Sequence, residues 1–445
     1  MDKPAALLIN PPVYDFSLYD LFHKPLGLMR IGRWLVEAGY LVTLVDALDI
    51  DDEPSQAALG APRRKNNGTG KFFRQPAPFP ADGSMIKRRY SRYGILSESF
   101  AHRIAGRKPD IVLITSGMTY WYPGVAEAVR TVRREHPGVP VVVGGVYAAL
   151  LPEHCEKTAG PDYVVAEKPW DKLKTILSAH SLPVPRGEPS KKALLTPEVW
   201  RGAGVLRLNE GCPLRCDYCA SSLLHPGFHP GNGEESFGVL RELVEACGIS
   251  AAAFYDDALL HKKSESLKPF LERVIESDLD ISFFLPNAVH LGLLDRDTAV
   301  LMRRAGFKEV RLGYESSSVS FHEDHDSKVG AGDFEAAVGV LLDAGFKGGE
   351  IIAYILAGMP GQFAEEVEES VRLVSAQGIR ASIAEYSPVP GTALWKRSVE
   401  TSRFPIEDEP LYQNNSVMAF RWSGFGLEDL QRLKDLSRKL SVDYR

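Results

Sequence analysis

Apolar and polar positions along the first 175 residues fall into alternating blocks. An apolar run at 5–9, helical spacing of apolar residues at 28–38 and a β-rich run at 40–46 predict strand, helix, strand. The rhythm breaks over 51–94, where Asp-Asp-Glu-Pro, Arg-Arg-Lys-Asn-Asn-Gly-Thr-Gly and the prolines Pro76, Pro78 and Pro80 predict an inserted loop. It resumes with strands at 110–115, 139–145 and 162–166 and a helix near 123–135, predicting a parallel, doubly wound sheet over residues 1–175. Residues 176–200, with their stiff Ser-Leu-Pro-Val-Pro-Arg-Gly-Glu-Pro-Ser stretch, read as an interdomain linker. Strands are then predicted at 204–209, 251–255, 281–285, 309–313, 351–356 and 381–386. Helices at 238–247, 264–277, 297–305, 333–344 and 364–377 separate them. Six such repeats over 201–400 predict a partial (β/α)6 barrel, whose chemistry gathers at the carboxyl ends of its strands. Residues 401–445 read as a helical tail with an amphipathic helix at 426–445.

Composition narrows the class. A chain of 445 residues exceeds one ordinary core, and 44% hydrophobic with 25% charged residues is a soluble, globular balance. No apolar run approaches the ~18 residues of a membrane span, and the start lacks the basic, apolar and small-residue order of a signal peptide. Both predict a cytoplasmic protein that does not meet a membrane. A formal charge of -6 argues against a nucleic-acid partner. The five cysteines are an odd set, three of them within 212–219, which suggests a metal or cluster rather than disulfides.

Those three stand in Gly211-Cys212-Pro-Leu-Arg-Cys216-Asp-Tyr-Cys219, directly after the first barrel strand. Iron–sulfur clusters usually take four thiolates, so three leave one iron open. The alternative is a structural zinc site with His225 or His229 as fourth ligand, although no second Cys-x-x-Cys is present. The Cys-x-x-x-Cys-x-x-Cys spacing, with Tyr218 before the third cysteine, resembles the radical S-adenosylmethionine (SAM) superfamily. The resemblance extends over about 203–395, through Phe254-Tyr-Asp-Asp257, Arg304-Ala-Gly-Phe with Gly313-Tyr-Glu-Ser316, Ala357-Gly-Met-Pro-Gly-Gln362 and Tyr386-Ser-Pro-Val-Pro-Gly-Thr392. Many members of that family carry Gly-Gly-Glu-Pro where this chain has Asp256-Asp257.

The resemblance implies a 4Fe-4S cluster on Cys212, Cys216 and Cys219. It implies SAM contacts from Tyr218, Asp256 or Asp257, Asn287, Glu315, Tyr354 and Gly358. Glu315 also reads as a barrel-mouth salt bridge. The implied reaction is reductive cleavage of SAM to methionine and a 5′-deoxyadenosyl radical, with the electron coming from a donor such as flavodoxin or ferredoxin.

The first domain resembles the cobalamin (B12)-binding domains that precede many radical SAM barrels. It does so at Leu8-Ile-Asn-Pro-Pro12, at 25–35, at Pro109-Asp-Ile-Val-Leu-Ile-Thr-Ser116 and at Val142-Val-Gly-Gly-Val-Tyr147. Asn10, Thr115, Ser116, Gly144 and Gly145 fall at strand ends, where open α/β sheets bind ligands, and Tyr147 and Glu167 are expected to line a corrin. The Asp-x-His-x-x-Gly pattern that supplies a cobalt-ligating histidine is missing. A sheet that keeps the fold without the corrin is the competing reading.

Together the two resemblances imply a cobalamin-dependent radical SAM methyltransferase that acts on an unactivated carbon, or phosphorus, of a small-molecule or peptide substrate. A radical rearrangement, cyclisation or ring contraction is the first rival, and a noncatalytic cluster-bearing protein the second. Basic–aromatic segments at 71–74 and 87–93 read as packed loop or as an anion-gripping lid. His322 and His325 read as surface loop, and Cys155 and Cys247 as small buried hydrophobes.

Overall fold

The computed structural model describes residues 3–84, 86–420 and 424–441. The chain divides into two units, Met1–Arg201 with Glu409–Leu411, and Gly202–Asp408 with Tyr412–Arg445.

In the first unit the apolar runs become the parallel strands β1 (Ala5–Asn10), β2 (Leu41–Asp46), β3 (Ile111–Ile114), β4 (Val141–Gly144) and β5 (Tyr163–Val165). Their order is β2-β1-β3-β4-β5, with Ala5 opposite Leu41 and Ala6 opposite Ile111. Helices cover the sheet, so its central strands are apolar without interruption: Leu7, Leu8 and Ile9 are at most 1% exposed. The order reverses between β1 and β3, which opens a crevice beyond their carboxyl ends, the usual ligand position in this topology.

The 51–94 segment differs from the expected loop. It contains a helix at Glu53–Leu59, capped by Asp52, and two strands, Arg74–Pro76 and Ser91–Tyr93. With Val13–Asp15 these form an antiparallel three-stranded sheet. Its aromatics are packing residues, since Phe72, Phe73, Tyr90 and Tyr93 are all buried. Arg92 spends its charge on Glu127 in a buried, two-pronged ion pair (Nη2–Oε1 2.8 Å, Nε–Oε2 3.0 Å).

The stretch expected to be a linker is tied to the first unit. Tyr40 donates to the Pro183 carbonyl at 2.6 Å, Trp34 to Arg186 at 3.0 Å and Arg30 to Ser190 at 2.9 Å. The Leu194 amide donates to Met29 at 2.8 Å.

The second unit carries β6 (Gly204–Leu206), β7 (Ala251–Phe254), β8 (Ser282–Phe284), β9 (Val310–Glu315), β10 (Ile351–Ala357) and β11 (Arg380–Glu385). They pair in parallel as two three-stranded halves. Parallel bridges Phe283–Phe307 and Val289–Leu312 join the halves into one six-stranded wall. Phe254 packs on Phe270 and Tyr314 stacks on Phe334, both from helices. Gly313 and Glu315 share one side of β9, a Cβ on Gly313 lying 3.5 Å from Glu315 Oε1. Among the described residues of the tail, the long helix lies toward its end. A helix at Leu427–Leu440 buries Leu430 and Leu433, and Ser437 donates to the Ala381 carbonyl of edge strand β11 at 2.8 Å. Residues 402–418 are irregular, with two short 3-10 turns, and 442–445 of the expected tail helix lie outside the described residues.

Candidate functional site

The cysteine loop leaves β6 and is closed at its base by a two-residue antiparallel pairing, Glu210 with His229 and Gly211 with Phe228. Gly211, immediately before the first cysteine, has φ +76, and a Cβ there would lie 2.1 Å from the Gly227 carbonyl oxygen. The loop cannot close this tightly around any other residue. Within it Cys219 turns back on Cys216 (N–O 3.1 Å), and the Cys219 thiol meets the Ser221 hydroxyl at 3.3 Å. All three thiols are free and partly exposed.

The residues between the cysteines anchor the loop to the segment after β9. The Asp217 amide donates to the His325 carbonyl at 3.0 Å, and its carboxylate meets His325 Nδ1 at 2.8 Å. Tyr218 donates its hydroxyl to Asp326 Oδ2 at 2.8 Å. The other Asp326 oxygen meets His322 Nδ1 at 2.8 Å, and His322 Nε2 reaches the Ser316 carbonyl at 2.9 Å. His322 is 5% exposed, so the expected surface loop is instead a helix, Val319–His325, begun by the Ser318 cap. Both histidines are pinned by carboxylates. Burial, with Glu315, Cys216 and Asp326 close by, holds the Tyr218 hydroxyl far above its ordinary pKa, so it remains a donor. Lys328, which the polar run had hidden, places its ammonium 2.8 Å from Glu315 Oε1 and 3.8 Å from Asp326 Oδ2, and 5.7 Å from the Tyr218 ring centre.

Three free thiols in one pinned loop are a donor set whose chemistry fits an iron–sulfur cluster, which Cys212, Cys216 and Cys219 would hold. Burial pushes the Cys216 thiol up to about 12. Among the described residues no three His, Cys, Asp or Glu side chains are gathered as a metal site, those of the cysteine loop and of His225 and His229 included. Cys155 lies fully buried in the other unit, as its sequence reading held.

The remaining barrel candidates divide by environment. Asp256 is 2% exposed, and its two oxygens accept the amides of Asn209 at 2.6 Å and Leu208 at 3.0 Å, locking the end of β6 to β7. Asp257 keeps a partly exposed carboxylate, 3.5 Å from Arg207. Exposed Asn287 donates to the Asp256 carbonyl at 3.2 Å, and Tyr354 donates to the Pro286 carbonyl at 3.1 Å while accepting from Arg311. Glu315 has φ +63 beside a register shift in β9, a costly backbone for a non-glycine and one found at functional strand ends. The Gly358 turn is built on Gln362, whose Oε1 accepts the Gly358 amide at 2.8 Å.

In the first unit the candidates form a rim and its support. Thr115 and Gly144 are partly exposed at the ends of β3 and β4, and Glu167 is exposed beyond β5. Asn10 is 4% exposed and donates to Asp46 at 2.7 Å, so it fastens β1 to β2. Ser116 donates to the Gly144 carbonyl at 2.7 Å, and a Cβ on Gly145 would lie 2.3 Å from the Ser116 carbonyl oxygen. Tyr147 is fully buried, its hydroxyl 2.7 Å from His154 Nδ1. Asn10 and Tyr147 therefore support the rim rather than line it. Burial also holds His23, edge-on to Trp121, below the usual histidine range.

The fold and the site define the class. Residues 206–374 match the radical SAM superfamily and residues 85–169 match the B12 binding domain. The chain thus carries a region that matches the radical SAM superfamily, preceded by one that matches the B12 binding domain. An uncharacterized methyltransferase, PH0819 of Pyrococcus horikoshii, is 27% identical over 237 residues, 52% of this chain and 47% of the relative. The alignment takes in about half the length of that curated relative. Two solved structures of the radical S-adenosylmethionine methyltransferase TsrM from Kitasatospora setae share the fold at 15% identity. One, with tryptophan substrate and a SAM analogue bound, has a TM-score of 0.68 over 97% of this chain and 89% of its own. The other, with cobalamin and a [4Fe-4S] cluster, has 0.67 over 98% and 91%. The cobalamin-dependent enzyme OxsB gives 0.59 at 11% identity, over 92% of this chain and 56% of its own. No helix among the described residues is long and apolar enough to cross a membrane.

Proposed function

We propose that this protein is a cobalamin-dependent radical SAM methyltransferase acting on an unactivated carbon or phosphorus centre of a small-molecule or peptide substrate. The observation that carries the reading is the cysteine loop itself. It holds three free thiols, closed at Gly211 and tied through Asp217 and Tyr218 to the segment after β9, at the carboxyl end of the first strand of a six-stranded parallel wall. The preceding sheet of order β2-β1-β3-β4-β5, with its B12 binding match, supports the cobalamin half.

Cys212, Cys216 and Cys219 would hold the cluster, and Thr115, Gly144 and Glu167 would border the corrin. When bound, these groups supply one-electron cleavage of SAM and a methyl carrier. The chain's own residues bind and orient. Asp257 offers a carboxylate for an ammonium, Glu315 one for ammonium or ribose hydroxyls, and Asn287 and the Gly358 turn offer polar edges. Buried Asp256 and Gln362 hold two of those strand ends in place. Exclusion of water falls to the apolar wall, with Phe254, Phe283 and Phe307 packed behind it.

The test is an anaerobic assay of the reconstituted protein with SAM, a low-potential reductant and candidate acceptors, after recording the corrinoid it binds. 5′-Deoxyadenosine together with S-adenosylhomocysteine is the expected pair of products. 5′-Deoxyadenosine alone would move the reading to rearrangement. Neither product, from a protein with a full cluster, would remove the catalytic reading.

A further inference from the structure

Lys328 is a charge buried where charge is costly. Its side chain is 8% exposed, beside Glu315 at 14% and an Asp326 carboxylate with no exposure. Removing an ammonium from water is unfavourable unless opposite charges and hydrogen bonds replace the water. Glu315 and Asp326 do so here, and they hold its pKa above the usual lysine value against the effect of burial. The same ammonium lies over the ring of Tyr218, one residue from Cys219 and two from Cys216. Asp326 has little freedom to turn away, because Tyr218, His322 and the Lys328 amide all bond its oxygens. The cation is thus held at the ring of Tyr218, the residue that stands between Cys216 and Cys219 in the loop.

We infer that Lys328 is a positioning residue whose fixed positive charge raises the reduction potential of the cluster on Cys212, Cys216 and Cys219, easing its one-electron reduction; this rests on the functional reading above. The step concerned is the gain of one electron by the cluster, from 2+ to 1+, supplied by a low-potential donor of the flavodoxin or ferredoxin class. Added negative charge on the cluster is stabilised by a cation held close in a poorly solvated place. Without Lys328, Glu315 would lose its ion pair and Asp326 would keep His322, the Tyr218 hydroxyl and a backbone amide but no lysine beside it.

The test is a redox titration of the reconstituted full chain without SAM, monitored by the electron paramagnetic resonance of the reduced cluster. Lys328→Met is expected to make reduction at least tenfold less favourable, about 59 mV for one electron. Lys328→Arg is expected to stay within twofold of wild type. Lys328→Met with Asp326→Asn, which removes one charge of each sign, is expected to return most of the loss. A Lys328→Met midpoint within twofold of wild type, or an Arg variant shifted as far as the Met variant, overturns the inference. If Lys328→Met takes up no full cluster, the Arg and double variants decide: both are expected within threefold of wild type, and a tenfold departure in either overturns it. A wild-type chain that binds no 4Fe-4S cluster would sink the functional reading instead, so iron and sulfide analysis comes first.

Discussion

At the scale of single residues, the candidate site depends on side chains that brace its loops and strand ends. Asp256→Ala would leave the amides of Leu208 and Asn209 buried without their acceptor, at a cost of about 1–3 kcal/mol each. Denaturant unfolding should show that loss, and Asp256→Asn, which keeps one acceptor, should show less of it. Gly211→Ala faces both a left-handed φ and a backbone oxygen 2.1 Å from its new Cβ. It should cost about 1–3 kcal/mol and lower the iron content after reconstitution. Cys216→Ala should abolish both the full cluster and SAM cleavage; a variant that kept both would refute the cluster assignment. The cysteines and the strand-end acids were legible because their spacing survives in one dimension. Lys328 and Asp326 were not, since in sequence they are two more charges in a polar run, and only burial against Tyr218 and Glu315 gives them a role.

Among elements, the helix at Arg296–Ala305 illustrates how a barrel helix is started. Asp295 accepts the Thr298 amide at 2.7 Å and pairs with Lys263 at 2.7 Å. Burial opposes the charged form, but these bonds outweigh it and hold the carboxyl well below its usual range. A depressed folded pKa stabilises above the unfolded value near 3.9. The contribution is therefore present at neutral pH and is lost as pH falls below about 3.9 toward the folded value. Asp295→Ala should cost ~1 kcal/mol at pH 7, and the gap to wild type in thermal unfolding should narrow in acid. A gap that widened in acid would refute the cap. The strands and helices were readable from periodicity, yet the 51–94 segment was not. Its strands are three residues long, and the middle one, Ser91–Tyr93, pairs with Arg74–Pro76 on one side and with distant Val13–Asp15 on the other, leaving no period to detect.

For the molecule as a whole, chain that reads as a spacer is structure. Residues 183–194 are bonded along the first unit through Tyr40, Trp34, Arg30 and Met29. Limited trypsin digestion of the native protein should therefore cut at exposed Lys87, Arg88 and Arg89 before Arg186 or Lys192. Equal rates at the two places would show the second stretch to be loose. Sequence by itself determined the two α/β architectures, the position of the cysteine loop after the first barrel strand and the family resemblances. Each of these rests on local periodicity or fixed spacing. Tertiary structure alone decided how these acids differ, because Asp256 is buried on two backbone amides while its chain neighbour Asp257 keeps a partly exposed carboxylate beside Arg207. It also decided that Tyr147 and Asn10 support the rim, and that a lysine more than a hundred residues from the cysteines stands beside their loop.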